Sequence, residues 1–191
     1  MAGGAVALAL LTIRGRGRTL DDSLFGWANS RFEHPWLDAF FRTVTELGAY
    51  YASITAGTVI AARGRRREAL DAVAAAGAMW AAGNGLKRVF RRLRPYEAQL
   101  PTPLRLLIGK PRGASWPSVH PATFLAFATV AGRNLELPHA GRRALVALAG
   151  LVATSRVYLG VHYPADVIGG LLLGRATADV WSRTVSPKVL G

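Results

Sequence analysis

"SRVYLGVHYPAD", residues 155–166, decides how the rest of the chain is read. Residues 144–155 before it and 167–174 after it contain no Asp, Glu, Lys or Arg. Between these apolar runs stand Arg156, His162 and Asp166. Pro164 suits the first turn of a helix, so the stretch predicts a hairpin of two apolar helices. One helix ends near Arg156, the next begins at Pro164, and titratable groups crowd the turn.

Working outward, residues 47–62, 72–86 and 113–132 also lack charged side chains. With flanking residues, each run approaches the about 20 residues that cross a bilayer. A soluble helical bundle would place a charge every third or fourth position on its wet face. Alanine and glycine dominate the runs, as in closely packed membrane helices, and Gly170 with Gly174 forms a small-xxx-small pair. The expected fold is therefore all-α: an integral membrane bundle of six helices at about 2–15, 46–62, 67–87, 119–134, 142–158 and 164–182, forming one domain over 1–191. No basic residues precede the apolar run 2–13, so it reads as a first membrane helix rather than a signal peptide. In 14–46, Trp27, Phe32, Trp36, Phe40 and Phe41 alternate with charges, which predicts an interfacial amphipathic segment of one or two helices. Those aromatics are candidates for shaping a lipid entrance.

The 191 residues carry a net charge of +13, with no cysteine and four histidines. Disulfides and thiolate metal sites are thereby excluded. The cations cluster between apolar runs instead of lining one face, which argues against a nucleic-acid partner. One set of linkers holds Arg63, Arg65, Arg66, Arg67, Arg133, Arg142, Arg143, Arg183 and Lys188, which suits a cytoplasmic face. The opposite end holds the loop 88–118 and the turn before Pro164.

Three polar stretches fall at that opposite end. In "KRVFRRLRP", 87–95, Lys87 and Arg94 are seven apart, two helical turns, and so project the same way; Pro95 ends the helix. In "SWPSVHP", 115–121, Ser118 is placed to N-cap a helix whose free N–H groups favour an anion, and His120 lies in its first turn. In the third, Asp166 is close enough to accept a hydrogen bond from His162, fixing the tautomer and leaving one nitrogen free as a nucleophile. Cations, N–H groups, a nucleophile and an acid are what phosphoryl transfer needs.

These motifs, K-x6-RP, PS-x-H and SR-x5-H-x3-D in that order, resemble those of the type 2 phosphatidic acid phosphatase family over about residues 46–182. The resemblance implies a metal-free and cofactor-free membrane phosphatase working through a phosphohistidine. It implies His162 as nucleophile, Asp166 as its orienting group, and His120 as acid and then base. Lys87, Arg94, Ser118, Arg156 and the N–H of Val119 would hold the phosphate. Val119 stands where the family usually has glycine; it keeps the N–H but narrows the pocket.

The expected partners are the bilayer and a lipid phosphate or diphosphate: polyprenyl diphosphate, phosphatidylglycerol phosphate or phosphatidic acid. The site is expected to face the periplasmic or outer side of a bacterial-type plasma membrane. The alternatives are a lipid phosphotransferase and a phosphatase of a decaprenyl-linked sugar phosphate.

Overall fold

A computed structural model describes residues 1–14, 17–100 and 103–190. Nine α-helices lie among the described residues: α1 (Ala2–Arg14), α2 (Gly17–Ser30), α3 (Pro35–Glu46), α4 (Tyr50–Ala62), α5 (Arg66–Phe90), α6 (Val119–Asn134), α7 (His139–Tyr158), α8 (Pro164–Thr184) and α9 (Ser186–Leu190). A single 3-10 turn, Pro95–Glu97, interrupts the loop after α5. The all-helical expectation holds. Helices α1 and α4 to α8 stand at the six expected ranges, the 14–46 segment forms α2 and α3, and α9 follows α8. Positions 15 and 16 of that segment, and 101 and 102 of the 88–118 loop, lie outside the described residues.

Among the described residues, no helix is long and apolar enough to cross a membrane. The composition gives the reason. Alanine and glycine fill the central helices, and they bring backbones together while adding little hydropathy. α6 and α8 show this best. A Cβ added at Gly170 would strike the Ser118 carbonyl, and one at Gly174 would strike the Ala122 carbonyl. Both positions must be glycine for α8 to lie this close to the start of α6.

Helices α4 to α8 alternate in direction, so their ends collect into two polar clusters. At one end Asp71 is wholly buried and accepts hydrogen bonds from Asn134 (2.8 Å), Trp181 (2.8 Å) and Ser186 (2.6 Å). Those bonds tie α5, α6, α8 and α9 together around a satisfied carboxylate. One of the apolar clusters of the core is built of Ala72, Ala75, Ala76, Phe127, Val130, Ala131 and Ala178. At the other end stand the starts of α4, α6 and α8 and the last turns of α5 and α7.

The end of α5 differs from expectation. The helix runs to Phe90, and Arg91 closes it in the left-handed region at φ 46°, its N–H bonded to the Lys87 carbonyl at 3.1 Å. Arg94 is therefore extended, at φ −81° and ψ 161°, and not on the helix with Lys87. The proline does restrict Arg94 as expected, but the helix has already stopped. The intervening turn frees Arg92 to point inward, where it is buried between two carboxylates.

Candidate active site

A cavity of about 460 Å³ opens at this second polar end. Lys87, Arg94, Val119, His120, Arg156 and His162 all line it. These residues come from α5, the loop after it, α6, α7 and the turn before α8, so the fold brings together side chains up to 75 positions apart. Ser118 and Asp166 lie just behind the lining and are fully buried.

His162 is the pivot. Its Nε2 faces Arg94 Nη1 at 3.3 Å, and its Nδ1 faces Asp166 Oδ2 and Ser115 Oγ, each at 3.4 Å. Burial, then the positive charges of Arg94, Lys87 and Arg156, push the imidazole pKa well below the usual 6.5. The ring is thus neutral near pH 7, and its 3.4 Å contact with Asp166 is the approach of a neutral ring to a carboxylate rather than an ion pair. A neutral ring that donates from Nδ1 keeps the Nε2 lone pair as an acceptor, which here meets Arg94 Nη1. This assigns the tautomer from the surroundings.

Asp166 is held from several directions. It accepts from Arg92 Nη1 (2.7 Å), Ser115 Oγ (2.5 Å) and the Tyr163 N–H (2.9 Å). The last bond caps the start of α8, so one carboxylate caps a helix and faces the imidazole.

The cations are fixed in different ways. Arg94 donates to the carbonyls of Gly113 (2.8 Å) and Val161 (3.0 Å), which set its guanidinium plane. Arg156 donates from Nη1 to Thr45 of α3 at 2.7 Å, while its buried Nε finds no partner among the described residues. Ser118 precedes α6 as its N-cap, but its side chain makes no capping bond and its buried Oγ is also unpartnered. Trp116 Nε1 and Thr123 Oγ1 share that condition away from the cavity lining. An oxyanion in the cavity would supply the acceptor that a buried guanidinium N–H and a buried hydroxyl need. The N-terminus of α6, with the Val119 and His120 backbone, opens toward the same space.

Sequence reasoning missed Ser115, Arg92, Asp21 and Thr45. Ser115 lay inside a quoted motif, and Arg92 inside another, but their partners are more than 50 residues away. Nothing local marks Asp21 in α2 as the second carboxylate on Arg92. The aromatic segment also behaves differently from expectation. Trp27, Phe32 and Phe41 line a separate apolar cavity of about 560 Å³ against α7 and α8. The mouth of the His162 cavity is instead flanked by Tyr50, Tyr51 and Trp80, with Tyr50 and Trp80 stacked at 6.0 Å. Among the described residues no three His, Asp or Glu side chains are grouped to hold a metal ion.

Residues 68–189 match the PAP2 superfamily. The chain is 38% identical over 116 residues to the decaprenylphosphoryl-5-phosphoribose phosphatase of Mycobacterium tuberculosis, covering 61% of this chain and 60% of that protein. The match thus spans less than two thirds of that relative. A second relative, the undecaprenyl-diphosphatase of Sulfolobus acidocaldarius, is 42% identical over 94 residues, 48% of this chain and 43% of that one. In three dimensions the chain is similar to a transmembrane PAP2 type phosphatidylglycerolphosphate phosphatase from Bacillus subtilis. The TM-score is 0.76 at 24% identity, over 94% of this chain and 90% of that one.

Proposed function

The chain belongs to the PAP2 superfamily, and from that premise we propose that it is a membrane phosphatase hydrolysing a polyprenyl-linked phosphate or diphosphate. The observation that carries this reading is a neutral, oriented imidazole lining the same cationic cavity as Arg156, whose buried Nε has no partner among the described residues.

In the reaction, Nε2 of His162 attacks phosphorus in line with the leaving oxygen. The P–O bond breaks as the N–P bond forms, and His120 gives a proton to the leaving oxygen. Asp166 holds Nδ1–H and stabilises the positive charge that develops on the ring. Lys87, Arg94, Arg156, the Ser118 hydroxyl and the Val119 N–H bind the three equatorial oxygens. A water then attacks phosphorus while His120 takes its proton. The N–P bond breaks, phosphate departs, and both histidines return to their starting states.

The membrane reading rests on the outer surface. Leu11, Trp27, Trp36, Ile54, Val59, Leu70, Trp80, Val89, Ile168 and Val180 all face outward, and apolar side chains spread around a bundle are normal where the solvent is lipid. At about 1.5 Å per residue, α7 with 20 residues and α8 with 21 reach the about 30 Å of a hydrocarbon core. The Arg-rich end around 63–67 would be cytoplasmic and the cavity would face outward. The polyprenyl preference comes from the two curated relatives.

The test is phosphate release in detergent from a panel of purified lipids: a polyprenyl diphosphate, a decaprenyl-linked sugar phosphate, phosphatidylglycerol phosphate and phosphatidic acid. Release from a polyprenyl substrate at the highest kcat/KM is expected. No release from any lipid would refute the reading.

A further inference from the structure

Behind the cavity a buried chain of charges runs away from His162 into α2. Arg92 Nη1 binds Asp166 Oδ1 at 2.7 Å, and Arg92 Nη2 binds Asp21 Oδ2 at 2.5 Å. The three side chains are 6%, 0% and 5% exposed, respectively for Arg92, Asp166 and Asp21. The second oxygen of Asp21 accepts the Ala165 N–H at 2.9 Å, so α2 grips the start of α8 directly as well. The Arg92 guanidinium also lies over the Tyr163 ring, 4.2 Å from its centre. The hydrogen bonds of this cluster end on Asp166, four positions from His162, or on Asp21.

We propose that Asp21 and Arg92 are positioning residues of this reaction: the chain Asp21–Arg92–Asp166 aims the Asp166 carboxylate at His162, so that α2, which precedes the matched family region 68–189, completes the active site. The proposal rests on the reading of His162 as nucleophile.

Two physical points support it. Fastening α2 to the bundle does not need charge, since an apolar pair of similar size does so without the cost of burying ions. Here three ionised groups are buried, and the chain ends on the carboxylate that orients the imidazole. Arg92 holds Oδ1 while Ser115 Oγ and the Tyr163 N–H hold Oδ2, so both oxygens of the carboxylate beside His162 are fixed, and the positive charge of Arg92 offsets the two carboxylates around it. His162 is faced by Lys87 of α5, Arg94 of the following loop, His120 of α6 and Arg156 of α7. Asp166 is faced by Asp21 of α2, Lys87 of α5, Arg92 and Arg94 of the loop after it, Ser115, His162 and Tyr163. Removing Arg92 takes away one positive charge from this assembly and raises the proton affinity of the His162 ring.

The experiment compares wild type with Arg92→Gln, Arg92→Lys and Asp21→Asn in detergent. It reads kcat and KM on a polyprenyl phosphate across pH, and follows the histidine imidazole signals by NMR with His162 assigned. Arg92→Gln should lose on the order of 10²-fold in kcat, as expected for a misaimed catalytic group, with KM little changed. Its acid limb should move to higher pH, and so should the His162 titration. Arg92→Lys should return that limb toward the wild-type pH while restoring only part of the rate. Asp21→Asn should lower kcat without raising the limb. The proposal is overturned if Arg92→Gln and Asp21→Asn both keep kcat within about twofold of wild type, well inside the range of a lost positioning contact. It is equally overturned if activity falls while limb and titration stay in place. If Arg92→Gln fails to fold by circular dichroism, the nearly isosteric Asp21→Asn decides the matter through kcat. Wild type releasing no phosphate would refute the phosphatase reading alone, because the imidazole titration still reports whether Arg92 governs the pair.

Discussion

His162 Nε2 lies 3.3 Å from Arg94 Nη1, so the nitrogen that would attack phosphorus is occupied by a cation in the free protein. An arriving phosphate has to take over that guanidinium proton, and the same act exposes the lone pair. Binding and activation of the nucleophile are therefore one event in this geometry.

The first prediction concerns pH. His162 holds its pKa well below 6.5, through burial first and then Arg94, Lys87 and Arg156. The attacking form is neutral, so the acid limb of kcat/KM should lie clearly below pH 6.5. A limb at or above that value would contradict the environment described. Stability should follow the same sign. The unfolded chain takes up a proton near pH 6.5 and the native ring does not, so the contribution is intact above 6.5 and is lost as pH falls toward the native value. Thermal unfolding in detergent at a series of pH values measures it.

Arg156→Lys keeps a positive charge but removes the buried Nε donor. If that donor meets the developing oxyanion, kcat should fall by about 10²- to 10³-fold, the usual effect of removing one such donor. Ser118→Ala should cost a similar order. Unchanged kcat in both variants would remove these groups from the cradle.

Val119→Gly tests the narrowed pocket. The backbone N–H is kept, so chemistry should change by no more than about tenfold, the worth of roughly one weak contact. Bulky leaving groups should gain more than small ones, because the valine side chain lines the cavity. A loss of more than a thousandfold would show that the side chain itself is needed.

Gly170→Ala should destabilise the protein by about 1–3 kcal/mol, the cost of forcing a methyl into a packed contact, because the new Cβ meets the Ser118 carbonyl. Gly85→Ala has nothing within 4 Å and serves as the control, with stability unchanged or higher. Equal melting temperatures for the two variants would argue against this α6–α8 approach.

These residues also mark what the sequence could and could not reveal. The apolar runs place α4 to α8 to within four residues at each end, because helix ends fall there near charges and prolines such as Pro164. The small pair Gly170 and Gly174 announced a close helix contact and stands at one. The convergence of Lys87, Arg94, His120, Arg156 and His162 followed from the alternation of helix directions. What stayed hidden was non-local. The left-handed Arg91 that ends α5 has no signature of its own, being an arginine where glycine is usual. Asp21 and Thr45 are ordinary helix residues until a long-range fold places Arg92 and Arg156 against them. The composition of 14–46 marks an amphipathic segment, but only contacts show that Trp27, Phe32 and Phe41 line a different cavity.

Phosphate release by His162→Ala, measured beside wild type on the best lipid of the panel, probes the mechanism most directly. The imidazole is the bond-forming group, so the variant should be slower by on the order of 10⁴-fold or more, as for loss of a nucleophile in a coupled set. Its fold should be unaltered by circular dichroism. A folded variant that still turns over within tenfold of wild type would mean that phosphorus is attacked by something else.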